Sequence, residues 1–309
     1  MTKIFIDGSA GTTGLRIRER LASRADLELL TLPEELRKDP SARADALNTA
    51  DVSFLCLPDA AARDAASLVS SPSAVIIDTS TAHRTAEGWT YGFPELKGQR
   101  EKIAASRRIA NPGCHATGFI ALTAPLVQAG LLSPEVRLSC FSLTGYSGGG
   151  KKMIAEYESA DRPSLYDAPR QYGLSQEHKH LPEMAKVCGL LHAPVFSPVV
   201  APYYAGMEVT VPLTPAETSA TPAQIREVYR EYYRSGLIRF AESPDEGGFL
   251  SASAFRGRDD LEVAVFGNEE RMILVSRFDN LGKGASGAAI QNMNLVLGLD
   301  EALGLVKGA

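Results

Sequence analysis

The stretch that most limits what this chain can fold into lies at its start. Residues 3–7 form a short apolar run, followed directly by Gly8-Ser9-Ala10-Gly11-Thr12-Thr13-Gly14. An amphipathic pattern comes next, with Leu15, Ile17, Leu21 and Ala22 expected inward and Arg16, Arg18, Glu19 and Arg20 outward. Strand, glycine-rich turn and helix together open a parallel α/β sheet. Glycines let the main chain approach a pyrophosphate, and the helix N-terminus stabilises its charge. Gly8, Ser9, Ala10, Gly11, Thr12, Thr13 and Gly14 are therefore candidate cofactor-binding residues. The spacing is G-x-x-G-x-x-G, not the commoner G-x-G-x-x-G, and a tight turn without a ligand is the alternative.

Further apolar runs at 27–32, 52–57 and 74–78 fit a parallel sheet covered on both faces. The run at 27–32 ends without the acidic residue that would bond a ribose 2′-hydroxyl. Glu34 and Glu35 come slightly later, then Arg37 and Lys38, so a 2′-phosphate is expected, and NADP(H) over NAD. Ser9, Arg37 and Lys38 are candidate phosphate ligands, with a solvated helix face as the other reading of the last two. The run at 74–78 leads into Asp78-Thr79-Ser80-Thr81-Ala82-His83-Arg84. Ligands bind beyond such strand ends, and a guanidinium there suits a carboxylate or phosphate. Arg84 is thus a candidate substrate contact, while His83 has no evident partner and reads as structural.

Asn111-Pro112-Gly113-Cys114-His115-Ala116-Thr117-Gly118 joins a tight turn to a helical pattern carried by Phe119, Ile120, Leu122, Thr123, Leu126 and Val127. Cys114 then falls in a first helical turn, where unpaired N–H groups and the positive dipole end gather. A thiol there ionises more easily, and the thiolate is the nucleophile. A buried structural cysteine is the alternative.

Beyond this helix the period changes. Runs at 136–143, 207–213, 261–266 and 272–278 read as strands, and two of them alternate with period two. This predicts a mostly antiparallel sheet with one covered face, and Ile225, Val228, Tyr229 and Tyr232 mark a helix that could cover it. Residues 142–152 read as a glycine-rich loop near a ligand. In His178-Lys179-His180-Leu181-Pro182-Glu183, two histidines in an extended segment could point one way, with Glu183 orienting one as a general base. Metal binding and a structural pair are the alternatives. Near the end, a small-residue turn at 280–287 opens a strongly apolar helix, expected to pack on the uncovered face of the first sheet.

Composition removes several classes. A formal net charge of −5 on 309 residues argues against a phosphate-backbone binder, and no apolar stretch approaches the roughly 20 residues of a membrane span. The four cysteines show no paired spacing, which suits reduced thiols in a cytoplasm. The start leaves no room for a signal peptide.

The segments 8–14, 78–84, 91–96, 111–114, 178–183 and 280–301 together resemble those of the N-acetyl-gamma-glutamyl-phosphate reductases in their shorter form. One departure is 202–207, where longer members carry an arginine–glycine pair. The resemblance implies a Rossmann-type domain, 1–113 plus 280–309, closed by the C-terminal helix. It implies a second, mixed α+β catalytic and dimerisation domain of the semialdehyde dehydrogenase type at 114–279, and a homo-oligomer, dimer or tetramer. The implied reaction is NADPH-dependent reduction of N-acetylglutamyl phosphate, a small acyl phosphate, through a thioester on Cys114. His180 or His178 would be the acid/base with Glu183 beside them, the other histidine binding substrate with Arg84 and Asn111. Ser147, Gly148, Gly149 and Asn280 would face the nicotinamide. Reductases of aspartyl phosphate or of carrier-bound aminoadipyl or glutamyl phosphates are the nearest alternatives, and a non-catalytic NADP-binding sensor and a metal hydrolase are more distant ones.

Overall fold

The computed structural model describes residues 1–308. Strands β1 (Thr2–Asp7), β2 (Leu27–Leu30), β3 (Val52–Leu55), β4 (Val75–Asp78), β5 (Thr90–Tyr91) and β6 (Arg108–Ala110) form one sheet in the order β2-β1-β3-β4-β6-β5. Every pairing in it is parallel. Helices α1 (Thr12–Leu21), α2 (Pro40–Thr49), α3 (Asp59–Ser67) and α4 (Gln99–Ala105) connect its strands. One face buries Ile4, Ile6, Phe54 and Ile77 with α1 and α4, while the other buries Phe5, Leu55 and Ile76 with α2 and α3. Both faces being covered explains why these strands are continuous apolar runs.

The chain continues through α5 (Cys114–Gln128), β7 (Ser139–Gly145), α6 (Gly150–Glu158), β8 (Arg170–Gln171), α7 (Leu181–Cys188), β9 (Val195–Ala201) and β10 (Met207–Leu213). Helix α8 (Pro222–Tyr232) and strands β11 (Ile238–Phe240), β12 (Leu261–Gly267) and β13 (Met272–Phe278) complete this part. Its seven-stranded sheet has the order β11-β12-β13-β10-β7-β9-β8. The sheet is mixed and, as expected, mostly antiparallel: β7 pairs with β9 and β11 with β12 in parallel, and its other pairings are antiparallel. Helices α5 and α8 cover one face. On the other, Phe141, Val195 and Ile273 are exposed.

Pro125 lies inside α5. A proline has no N–H, so the carbonyl four residues earlier, on Ala121, loses its helical partner. Tyr233 donates its hydroxyl to that oxygen at 2.6 Å, and Tyr229 donates to the neighbouring Leu122 carbonyl at 2.5 Å. The break in α5 is thereby closed from the end of α8.

After a π-helical turn at Gly282–Ser286, α9 (Gly287–Val296) returns to the first sheet, where Ala289, Ile290 and Met293 join its core. The helix is less apolar than expected. Buried Gln291 donates to Glu95, Asn292 to the Gly92 carbonyl, and Asn294 to the carbonyls of Glu301 and Leu303. The chain divides into Met1–Pro112 with Ala285–Leu305, and Gly113–Gly284 with the residues from Val306 on. Asn280 thus belongs to the second unit, as does Val306, whose N–H donates to Asp259 at 2.9 Å. Among the described residues no helix is long and apolar enough to cross a membrane.

Candidate active site

In the first unit, the turn after β1 is built around Gly8. Its φ is +86°, and an added Cβ would collide with the Cys56 carbonyl, so only glycine fits there. The Gly11 N–H closes the turn onto the Gly8 carbonyl at 2.9 Å, and α1 starts at Thr12 with no acidic residue in its first turn. The buried Thr12 hydroxyl has no hydrogen-bond partner in the protein. Leu15 and Ala22 face outward, while Gly14, Ile17 and Leu21 are the inward residues of α1.

A cavity of about 540 Å³ opens beside this turn, lined by Gly8, Ser9 and Ala10 and by Arg18, Arg37 and Lys38. Arg18, expected on a solvated face, is therefore a cavity residue that the helical pattern missed. Asp7 also lines the cavity, but Arg43 from α2 pairs with it at 2.7 Å, which offsets a charge that would repel a phosphate. An orphaned hydroxyl at a helix start, a turn closed to side chains and three cations in one cavity fit a phosphorylated dinucleotide.

At the carboxyl end of β4, Arg84 donates to the Asn111 carbonyl at 3.0 Å and the Thr79 carbonyl at 3.1 Å. Asn111 is buried, and its amide donates to the Ala285 carbonyl and accepts from Asn292. The side chain expected to touch substrate is thus engaged in holding the start of α9.

In the second unit, Cys114 is the first residue of α5 and is half-buried. Gly284 packs against it: an added Cβ there would lie 2.9 Å from the Cys114 Cβ. The other three cysteines are different. Burial pushes the Cys56 thiol up to about 12, and pushes Cys140 and Cys188 up as well. Only Cys114 combines a helix start with access to solvent.

The helix start is capped from outside. Glu183, buried at the start of α7, accepts from the Gly113 N–H at 3.2 Å. Its other oxygen lies 4.0 Å from His180 Nε2. Glu183, expected to orient one of the histidines, thus reaches both the start of the cysteine helix and His180. The histidines lie in a turn and helix cap rather than an extended segment. Their rings are 4.8 Å apart and nearly perpendicular. His178 is half-buried, and its Nδ1 accepts from the His180 N–H at 3.2 Å.

His115 has no role expected from the sequence, yet it sits in the middle of this cluster. Its ring centre is 5.6 Å from that of His178 and 5.5 Å from that of His180. It is buried, bonded to the Ser142 hydroxyl at 2.7 Å and the Tyr172 hydroxyl at 2.6 Å. Burial first, then the neighbouring His178 and Lys179, depress its pKa to about 3. Tyr172, also missed, has its phenol pushed up by burial and then by charge on Cys114. The neighbour of a candidate nucleophile was legible; its partners come from β7 and from just past the end of β8 and were not.

His115 gives a stability prediction. It stays neutral in the folded protein down to about pH 3 but takes a proton near 6.5 when unfolded. Its contribution is therefore full above about pH 6.5 and is lost as pH falls toward 3, at about 1.4 kcal/mol per pH unit. Denaturant unfolding across that range should show a shallower slope in His115→Gln. An unchanged slope would refute this assignment.

Residues 142–152 are not an open loop. They end β7, form a 3₁₀ turn at Tyr146–Gly149 and begin α6. Ser147 is buried and accepts from Asn280 Nδ2 at 3.0 Å, while Asn280 accepts from the Gly206 N–H at 2.9 Å. Gly148 lies beside Asn280, and Gly149 packs on Met153. The expected nicotinamide contacts thus brace one another within the second unit. Among the described residues no group of three His, Cys, Asp or Glu side chains could hold a metal ion.

Residues 3–106 match the semialdehyde dehydrogenase NAD binding domain, and residues 114–280 match the semialdehyde dehydrogenase dimerisation domain. N-acetyl-gamma-glutamyl-phosphate reductase 2 from a Nostoc species is 47% identical, covering 98% of this chain and 99% of the relative. The reductase of that name from Burkholderia cenocepacia is 45% identical, over 97% and 98%. Aspartate semialdehyde dehydrogenase II from Vibrio cholerae, solved with its ligand, shares the fold with a TM-score of 0.72 at 17% identity, over 96% of this chain and 98% of that one. The enzyme from Candida albicans, solved with NADP, has a TM-score of 0.67 at 15% identity, over 96% and 99%. A glycine turn beside a cation-lined cavity, a cysteine at a helix start and near full-length likeness agree: the chain belongs to the N-acetyl-gamma-glutamyl-phosphate reductase family.

Proposed function

We propose that this protein reduces N-acetyl-L-glutamyl 5-phosphate to N-acetyl-L-glutamate 5-semialdehyde with release of phosphate, a step of arginine biosynthesis, with NADPH as reductant. The observation that carries the reading is Cys114, half-buried at the first position of α5 and followed directly by His115, whose ring centre lies 5.6 Å from that of His178 and 5.5 Å from that of His180.

The Cys114 thiolate attacks the acyl carbon, the carbon–oxygen bond to phosphate breaks, and a thioester forms. A thioester is far more electrophilic than a carboxylate, so the difficult reduction becomes two easier steps. Main-chain N–H groups at the start of α5 are placed to stabilise the tetrahedral oxyanion. NADPH, when bound, supplies the hydride. Gly8–Gly14 would hold its pyrophosphate, and Ser9, Arg18, Arg37 and Lys38 its 2′-phosphate.

His178 is the acid/base in this reading. Its Nδ1 accepts a main-chain hydrogen, which places the ring proton on Nε2 in the neutral form. It is also more accessible than His180, and a general acid must reach the reacting atom. His180 and Glu183 hold the cluster and the helix start in register, and Arg84 binds an anionic group of the substrate.

The semialdehyde dehydrogenase dimerisation domain supports a homo-oligomer. We place a dimer contact on the uncovered sheet face, where Phe141 pairs with Thr210 and Ile273 with Pro212 in the strand register. Four cysteines outside any disulfide suit a reducing cytoplasm.

The test runs the reaction backward. NADP reduction should require phosphate together with N-acetylglutamate semialdehyde. Activity with aspartate semialdehyde but none with the acetylated substrate would overturn the substrate assignment.

A further inference from the structure

Asp78 ends β4 fully buried, yet it takes no part in the chemistry above. Its Oδ1 accepts from the Ser80 N–H at 2.9 Å, and its Oδ2 accepts from the Ser80 hydroxyl at 2.8 Å and from His83 Nδ1 at 2.6 Å. A carboxylate only accepts, so the hydrogen of that last bond rides on the imidazole. The ring of His83 lies flat on the indole of Trp89, with centroids 3.9 Å apart and planes 10° apart. Trp89 is in turn packed on the core between the sheet and α2 and α3.

The rest of the turn is fastened just as firmly. Thr81 donates from its N–H to Asp59 at 3.0 Å, and Arg63 donates to the Ala82 carbonyl at 2.9 Å. The next side chain is Arg84, whose guanidinium rests on the carbonyls of Thr79 and Asn111. The two residues beside each other in sequence thus have different tasks: one locks the turn inward, and the other carries the cation.

We propose that His83, bonded to Asp78 and stacked on Trp89, is a positioning residue that fixes the turn presenting Arg84 to the anionic substrate. The proposal rests on reading Arg84 as an anion-binding residue. Recognition of a carboxylate or phosphate by a guanidinium depends on its orientation. A turn that reorganised freely would have to be ordered on every binding event, which weakens binding without altering the chemical step.

The experiment measures reverse steady-state kinetics with N-acetylglutamate semialdehyde, phosphate and NADP for four proteins: the parent, Arg84→Ala, His83→Leu and His83→Asn. Arg84→Ala should raise KM for one of the two anionic reactants at least about tenfold. His83→Leu should raise that same KM by about tenfold, with kcat within about threefold and the NADP dissociation constant unchanged. His83→Asn, whose amide can still donate to Asp78, should return KM to within about threefold of the parent. Trp89, the only tryptophan in the chain, adds a spectroscopic readout, because its emission should shift in His83→Leu before any ligand is added. An unchanged KM in His83→Leu, or parallel losses of kcat and NADP affinity, would overturn the positioning role while leaving Arg84 as the anion site. If Arg84→Ala moves neither KM, the underlying reading of Arg84 fails, and the proposal with it.

Discussion

Cys114→Ser is expected to lower turnover by about 10⁴-fold or more, equivalent to about 5.5 kcal/mol of barrier, while NADP binds as before. A serine hydroxyl at the same helix start is almost wholly protonated near neutral pH and is a far weaker nucleophile. The cofactor cavity is lined entirely from the first unit, so the substitution should not reach it. Two measurements check this: single-turnover kinetics, and mass spectrometry of the enzyme quenched with substrate but without NADPH. An acyl adduct should be found on the parent and be absent from the variant. Turnover within tenfold of the parent would end the thioester route. In the parent, alkylation near neutral pH should fall on Cys114, since burial keeps Cys56, Cys140 and Cys188 protonated.

His178→Asn is expected to lower kcat by about 10²–10³-fold with little change in NADP affinity. The loss should be largest on the limb of the pH profile where the acid form is needed. His180→Asn should cost less, because that ring is buried and acts through its surroundings. A greater loss from His180→Asn would transfer the acid/base role to it. Equal losses of kcat and cofactor binding in both variants would mean that the pair is structural.

The first sheet was readable because its strands are buried on two sides, so each is a short apolar run between turns, and the glycine turn gave its direction. The cysteine helix was readable from one turn and one helical period. Strand β9 was not, since Ser197 and Pro198 interrupt its alternation. It is paired with β7 on one side and only the short β8 on the other, where a missing N–H is tolerated. The partners of His115, the capping of Gly113 by Glu183 and the bond from Asn280 to Ser147 all link residues distant in sequence. No local period records such contacts. His83 shows the same limit: its carboxylate partner is five residues away and its stacking partner six, yet neither pairing has a helical or strand spacing.

The first unit is assembled from two separated pieces of sequence, with residues 113–284 between them. During synthesis the face formed by Ile4, Ile6, Phe54 and Ile77 leaves the ribosome with only α1 and α4 to cover it, long before Ile290 and Met293 exist to complete that cover. At ordinary elongation rates that interval is on the order of ten seconds. The nascent chain must therefore carry an open greasy surface while its middle is still being made, which makes this stage the natural one for a chaperone to attend.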